Sequence, residues 1–117
     1  MKNLRIIFGL FIIVAFAQPS EAQLMNTKLQ ITVTNDLGNL VEGATVTLYK
    51  TEDDYDSETN PVQTATTDDK GRVLFYELEP IAYYMTVTKD DLTNAGRGTK
   101  TTKLIAKKKN LVNVVIE

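Results

Sequence analysis

The sequence has no cysteine, no histidine and no tryptophan among its 117 residues. The lack of cysteine excludes disulfide bonds and thiol nucleophiles, and the lack of histidine excludes an imidazole base and a histidine-ligated zinc ion. The net charge of -2 provides no electrostatic basis for binding nucleic acid. Hydrophobic residues make up 43% of the chain and charged residues 24%, which is ordinary for a folded domain. Such a domain must therefore be stabilised by its apolar core alone.

The first 22 residues have the pattern of a secretory signal peptide. Two basic residues precede an apolar run from Ile6 to Ala17, which is too short to span a membrane comfortably. A small-x-small sequence ending at Ala22 favours cleavage there, and a second one ends at Ala17. We therefore expect residues 1–22 to be removed. Residues 23–117 should then form a single domain with no membrane span and no cysteine for a lipid anchor, either in the periplasm or outside the cell.

Short segments of alternating apolar and polar residues fill the remainder of the chain, and no segment has a helical period. In the stretch from Ile31 to Tyr49, for example, two such segments are joined by a polar turn with Gly38. Strands at a spacing of about ten residues are typical of an all-β sandwich. We predict a seven-stranded Greek-key β-sandwich with strands at residues 26–35, 44–50, 62–67, 72–78, 83–89, 100–107 and 111–116.

Alternation also predicts which side chains face the core. We expect Val73 and Phe75 to point inward, together with the face of the next strand that carries Tyr83, Met85 and Val87. The last two strands should form a hairpin around residues 108–110. The polar residues 51–61 should form a long solvated loop, and the strand at 62–67 and the final strand are candidate sheet edges.

Several of these motifs resemble the transthyretin-like, or carboxypeptidase regulatory-like, domain family over residues 29–87. That family has a turn glycine, a Gly-Ala pair that opens the second strand, and a Thr-Asp turn with glycine before an aromatic strand. A leucine and a tyrosine follow; where the family usually has glycine before this tyrosine, the chain has Ala82. The resemblance implies a prealbumin-like sandwich whose motif residues specify packing rather than chemistry: Gly38, Gly43, Ala44, Asp68, Gly71, Phe75 and Tyr83.

Two active relatives of this sandwich do not match by residue. Isopeptide-forming adhesin domains, which the chain also resembles, need a lysine on the first strand and an acid on the strand after the tyrosine. The corresponding positions here are Val33 and Val87; without a buried acid to shuttle protons, a lone Asn113 or a nearby Lys28 cannot form the bond. The urate-pathway hydrolases of transthyretin fold rely on histidine, which the chain lacks. The sequence therefore excludes both activities.

A cluster of carboxylates in the polar loop is the one candidate metal site. Asp53, Asp54, Asp56 and Glu58 could supply oxygen ligands for weak calcium binding, although the spacing lacks the glycine and terminal glutamate of an EF-hand. The alternative is a solvated acidic loop that keeps the protein soluble. Apart from this calcium ion, we expect no cofactor.

Tyrosines and lysines are candidate ligand contacts. Tyr76 and Tyr84 should lie on adjacent strands and face outward, where they would either stack on a sugar ring or pack across the strands. Residues 107–109 are three lysines that would either touch phosphate or polysaccharide, or protect an exposed edge.

No nucleophile and base can be paired, because Ser57 lies in a polar loop and no imidazole is available to activate a hydroxyl group. We therefore expect a non-enzymatic, exported structural or interaction module of the bacterial cell envelope. It would bind an envelope protein through strand edges and loops. The alternative is an adhesion module that binds carbohydrate or calcium.

Overall fold

The computed structural model describes residues 26–97 and 99–117, so the predicted signal peptide at residues 1–22 lies outside the described residues. Within these ranges the chain forms seven strands and one short helix, and it contains no helix long and apolar enough to cross a membrane. The elements are β1 (Lys28–Asn35), β2 (Thr45–Tyr49), α1 (Glu52–Ser57), β3 (Gln63–Thr66), β4 (Arg72–Phe75), β5 (Tyr84–Lys89), β6 (Leu92–Thr93) and β7 (Lys109–Ile116).

The strands form two sheets, which confirms the predicted β-sandwich. One sheet has the order β4-β1-β7 and the other has the order β3-β2-β5-β6. Four of the strand pairs are antiparallel, and β1 pairs with β7 in parallel over eight residues. The predicted edges are also confirmed, since β3 and β7 each lie at the end of a sheet.

The core lies between the sheets and is filled by the inward face of each strand. The predicted inward residues are buried: Val73 and Phe75 are 8% and 2% exposed, and Tyr83, Met85 and Val87 are at most 1% exposed. Burying a large apolar side chain contributes about 1.5–3 kcal/mol, so a core of this size can stabilise a domain without disulfide bonds. Other core residues are Leu29, Ile31, Val33, Ala44, Val46, Leu48, Leu78, Leu104, Val114 and Ile116.

Two turns predicted from Asn, Asp and Gly are built by side-chain hydrogen bonds. The Asn35 Oδ1 atom accepts hydrogen bonds from the backbone N–H groups of Leu37 and Asn39, both at 3.0 Å. The Asp68 Oδ1 atom accepts from the N–H groups of Lys70 and Arg72, both at 2.9 Å. These contacts close each turn next to a glycine at positive φ, a conformation that is unfavourable for other residues.

The predicted final hairpin is wrong. Residues 101–105 have no regular structure, and β7 pairs with the distant β1 instead of with its neighbour in sequence. The Asn110 side chain explains the difference, because its Oδ1 atom accepts from the Ile105 N–H at 2.9 Å while its Nδ2 group donates to the Ile105 carbonyl at 3.1 Å and to the Lys28 carbonyl at 3.0 Å. This amide holds the preceding segment as a loop against β1. The sixth strand is the short β6, inside a predicted loop.

A helix also replaces part of the predicted solvated loop at residues 51–61. Thr51 caps α1, since its side chain accepts a hydrogen bond from the Asp54 N–H at 3.1 Å. Three acidic residues in the first turn suit the positive end of the helix. Glu58 ends the helix in the left-handed conformation. Polarity alone pointed to a loop, whereas capping and packing of Tyr55 against the sheet favour a helical turn.

Candidate functional site

The motif residues lie in the framework of the sandwich. The Thr67 hydroxyl donates to the Val41 carbonyl at 2.6 Å and accepts from the Ala44 N–H at 2.9 Å, and the Gly43 N–H donates to the Thr67 carbonyl at 3.0 Å. A Cβ atom on Gly71 would lie 2.8 Å from the carbonyl oxygen of Val33. These residues fix the turns at the strand ends and present no reactive group to a ligand.

Tyr83 is also structural. It is 1% exposed, and its hydroxyl oxygen accepts a hydrogen bond from the backbone N–H of Glu79, four residues upstream, at 2.9 Å. A tyrosine that bonds back to the chain in this way is typical of immunoglobulin-like sandwiches. Burial raises the pKa of the Tyr83 phenol above its ordinary value, so the phenol stays neutral and cannot serve as a base.

The four carboxylates of the calcium prediction lie on α1 and at its end. The Asp54 carboxylate contacts the loop that follows α1, since its Oδ1 atom accepts hydrogen bonds from the Thr59 hydroxyl and from the Asn60 amide, both at 3.3 Å. Within residues 26–97 and 99–117, no three acidic side chains come close enough to hold a metal ion. Calcium binding stays a prediction, which this geometry does not favour.

The positions that would carry an isopeptide bond are apolar and buried. Val33 and Val87 are both 0% exposed and belong to the core. The nearby Asn113 is exposed on β7. No acid on β5 reaches Val33, because every inward-facing residue of that strand is apolar.

The predicted pairing of Tyr76 with Tyr84 is wrong. Tyr76 follows β4 in one sheet, whereas Tyr84 lies on β5 in the other, so the two cannot be cross-strand neighbours. Tyr76 lies beneath the Lys28 ammonium group, 5.6 Å from the ring centroid. Tyr84 packs against Tyr55 of α1, with 6.0 Å between the ring centroids. The strands adjacent in sequence belong to different sheets, which alternation alone does not reveal.

The lysines at 107–109 lead into the edge strand β7. The Lys107 N–H donates to the Thr27 hydroxyl, and the Lys28 N–H donates to the Lys108 carbonyl, both at 3.0 Å. The backbone here is therefore fixed to β1 while the side chains are exposed. The positive charges of these lysines disfavour pairing with another strand only at the start of the β7 edge.

The rest of β7 presents an open and uncharged edge. Since Lys108 bonds to β1, residues at even positions of β7 face β1, and residues at odd positions direct their N–H and C=O groups away from it. Among the described residues, no backbone bond from another element reaches Leu111, Asn113 or Val115. Leu111 is 68% exposed. This edge ends at Glu117, which exchanges two backbone hydrogen bonds with Thr93 at 3.0 and 3.1 Å.

The other predicted edge, β3 of the four-stranded sheet, is less available for pairing with a partner strand. It is only four residues long, and the Gln63 side chain donates to the Tyr76 carbonyl at 2.8 Å, which ties the edge to the other sheet. Short edges are one of the ways in which proteins avoid unwanted strand pairing. Of the two predicted edges, β7 is therefore the better candidate for adding a strand.

A cleft of about 440 Å³ lies between α1 and the outer face of the four-stranded sheet. Its lining includes threonines of β2, β5 and β6, the ring of Tyr55, and the carboxylates of Asp56 and Glu58. Sequence reasoning missed this cleft because it predicted no helix at α1. The sequence contains five repeats of the form Thr-x-Thr, and the three that begin at Thr45, Thr64 and Thr86 lie on this sheet, so the repeat was a signal but did not by itself locate the cleft.

A family model described as a DR_A0283-like, Ig-like domain matches residues 19–116, which is most of the chain. The chain belongs to this Ig-like family. The two-sheet sandwich and the buried Tyr83, which bonds back to the Glu79 N–H, fit such a domain. No curated protein sequence is significantly similar to the chain.

Solved structures of similar fold include a Bacillus anthracis protein, a pilus backbone protein and an enzyme. The TIE protein of Bacillus anthracis has a TM-score of 0.58 and 17% identity, over 78% of this chain and 16% of that protein. The pilus 2b backbone protein of group B streptococcus has a TM-score of 0.51 and 15% identity, over 77% and 40%. Hydroxyquinol 1,2-dioxygenase from Pseudomonas putida DLL-E4 has a TM-score of 0.51 and 9% identity, over 77% and 55%. The chain thus spans between 16% and 55% of the length of these proteins, and at these identities the likeness is one of fold alone.

Proposed function

We propose that this chain is a non-enzymatic structural module of the bacterial cell envelope that binds a partner protein by accepting a strand along the free edge of β7. That the chain is an Ig-like sandwich domain, similar in fold to a pilus backbone protein, rests on the comparisons above. Export to the periplasm or beyond, and affiliation with the transthyretin-like domains, are part of the proposal. Export is supported by the signal-like residues 1–22, and the affiliation is supported by the Gly43, Asp68 and Tyr83 motifs.

The observation that carries the proposal is the edge of β7. Residues 110–116 contain no charge, no proline and no glycine, and they are rich in β-branched residues. A long edge of this composition favours pairing with another strand unless it is covered. A partner strand would take up the free N–H and C=O groups at residues 111, 113 and 115 and would cover the exposed side chain of Leu111.

A non-enzymatic role is supported by the chemistry of the side chains. The chain has no cysteine or histidine. The buried polar side chains of Thr67 and Asn94 bond to backbone groups of the framework. The similar fold of a dioxygenase carries no activity to this chain.

Site-specific photo-crosslinking in envelope extracts tests the proposal. A crosslinking residue at position 111 should join one protein in stoichiometric amount, to be identified by mass spectrometry. A crosslinker at position 37, which is also an exposed leucine (80%) but lies in a turn, should not. Purified chain should then bind that protein directly.

Two edge variants and one control make the test specific. Leu111→Lys should abolish binding, while Leu37→Lys adds the same charge elsewhere and should leave it unchanged. Asn113→Pro should also abolish binding, because its N–H group points away from β1 and its loss leaves the β1–β7 pairing intact. If no partner is joined at position 111, or if both edge variants bind normally, the proposal is wrong. Stabilisation by calcium alone would instead support the adhesion-module alternative.

A further inference from the structure

Three adjacent strands carry a regular array of threonines on the outer face of the four-stranded sheet. Thr45 of β2 lies opposite Thr66 and Thr88, and Thr47 lies opposite Thr64 and Thr86. The six hydroxyl groups therefore form two rows of three, about 4.8 Å apart across strands and roughly 6.7 Å apart along them. Thr93 of β6, opposite Thr88, extends one row to a fourth strand.

The hydroxyl groups on β5 are free of protein partners. Among the residues that the structure describes, neither Thr86 nor Thr88 makes a side-chain hydrogen bond, whereas the Thr64 hydroxyl donates to Thr47 at 3.3 Å. Both free hydroxyl groups lie in the lining of the cleft beneath α1. Each can donate one hydrogen bond and accept two from a bound molecule.

An aromatic wall closes one side of this array and makes the surface concave. Tyr55 of α1 packs edge-on against Tyr49, with ring centroids 6.1 Å apart, and is tilted against Tyr84 at 6.0 Å. Tyr49 is 4% exposed, so the Tyr55 ring supplies the accessible part of the wall. The helix is fixed by its threonine cap and by the turn of Asp54 onto Thr59. The wall is therefore in place before any ligand binds.

The charge of the cleft selects among ligands. Its lining contains the carboxylates of Asp56 and Glu58 and no lysine or arginine. Anionic ligands such as phosphates and acidic sugars are disfavoured there. Carboxylates do accept strong hydrogen bonds from hydroxyl groups. Since both carboxylates are solvent-exposed, an ion pair with a cationic ligand would contribute little.

We infer that the cleft binds a neutral saccharide. One face of a sugar ring would lie on Tyr55, and its hydroxyl groups would bond to Thr86, Thr88 and the carboxylate of Asp56 or Glu58. A volume of about 440 Å³ lies in the usual range of ligand sites and admits one or two sugar units. This site belongs to a different sheet from the free edge of β7, so it does not depend on the proposed function.

The test is a titration of the exported protein with neutral oligosaccharides of glucose, mannose and N-acetylglucosamine, monitored by backbone NMR and calorimetry. At least one oligosaccharide should bind saturably and shift the signals of Tyr55, Thr86 and Thr88. Thr86→Val, which removes one hydroxyl group at constant size, should weaken binding by about three- to tenfold. Tyr55→Ala should weaken it at least as much.

Two variants on the other sheet serve as controls. Thr32 lies on β1 and Tyr76 directly follows β4. Thr32→Val and Tyr76→Ala should therefore leave saccharide binding unchanged. Three results would overturn the inference: no neutral oligosaccharide binds, binding persists in Thr86→Val and Tyr55→Ala with both variants folded, or polygalacturonate binds more tightly than any neutral sugar. Loss of partner binding in Leu111→Lys with intact saccharide binding would separate the two sites.

Discussion

Gly71 allows a sharp test of how closely the turn before β4 approaches β1. Its φ is 70°, and a Cβ atom would lie 2.8 Å from the Val33 carbonyl oxygen and 3.1 Å from the Val41 nitrogen. Gly71 also accepts a hydrogen bond from the Val33 N–H at 2.7 Å. Gly38 is the matched control, because its φ is 84° and a Cβ atom there would meet nothing within 4 Å. Both positions carry the cost of positive φ, and only Gly71 adds a backbone clash.

The expected losses of stability follow from these contacts. A non-glycine residue at positive φ costs about 1–2 kcal/mol, so Gly38→Ala should lower the free energy of unfolding by that amount. Gly71→Ala carries the same cost. It should also lose or distort the bond to Val33, worth roughly 1 kcal/mol, and displace backbone that cannot move freely. We expect a total of about 2–4 kcal/mol.

Urea unfolding followed by far-ultraviolet circular dichroism would measure both values, since the chain has no tryptophan to report by fluorescence. The decisive quantity is the difference between the two alanine variants. Equal losses, within about 0.5 kcal/mol, would refute the close approach of Gly71 to β1.

Two further predictions concern the Thr-Asp motif. Thr67→Val should lower the free energy of unfolding, measured in urea, by about 1–3 kcal/mol, because it leaves the Ala44 N–H and the Val41 carbonyl without their hydroxyl partner. The control is Thr66→Val on the exposed face, which should change that free energy by less than about 0.5 kcal/mol. Equal losses in the two variants would contradict the role of Thr67. The backbone N–H groups of Arg72 and Lys70 lower the pKa of Asp68 below its ordinary 3.8, so its stabilising effect is complete above that value and is lost as the pH falls through the lowered pKa. Asp68→Asn should therefore flatten the fall in melting temperature below about pH 4, and an unchanged acid profile would contradict this account.

The sandwich was predictable where local pattern and tertiary structure agree. Alternation in β1 and β5 places every second residue in the core, so burial of Ile31, Met85 and Val87 followed from a period of two. The turns at Asn35 and Asp68 were also predictable, since each side chain bonds to backbone groups within four residues.

The pairing of the last strand was not predictable from local pattern. Three lysines followed by an asparagine resemble a hairpin turn, and the period-two pattern on both sides suits two adjacent strands. The decisive contacts are long-range, because the Asn110 amide reaches the Lys28 carbonyl and the Lys107 N–H reaches Thr27. A turn motif predicts that the chain changes direction, but it does not predict with which strand the segment after the turn will pair.

The cleft was not predictable from local pattern either, because that pattern did not reveal that α1 packs on the sheet. Tyr49 and Tyr84 lie opposite each other on β2 and β5, and as bare strand residues they would be exposed aromatics. Tyr55 of α1 covers them, leaving Tyr49 buried and turning a flat threonine face into a concave one. Six residues of helix in a polar segment thus create a site where side chains of this chain converge on a ligand-sized space. The open edge of β7 depends on backbone groups instead. Under the two proposals, backbone pairing at the edge tolerates many partner sequences, whereas saccharide binding in the cleft requires a particular arrangement of hydroxyl groups; we therefore expect the cleft to be the more selective of the two sites.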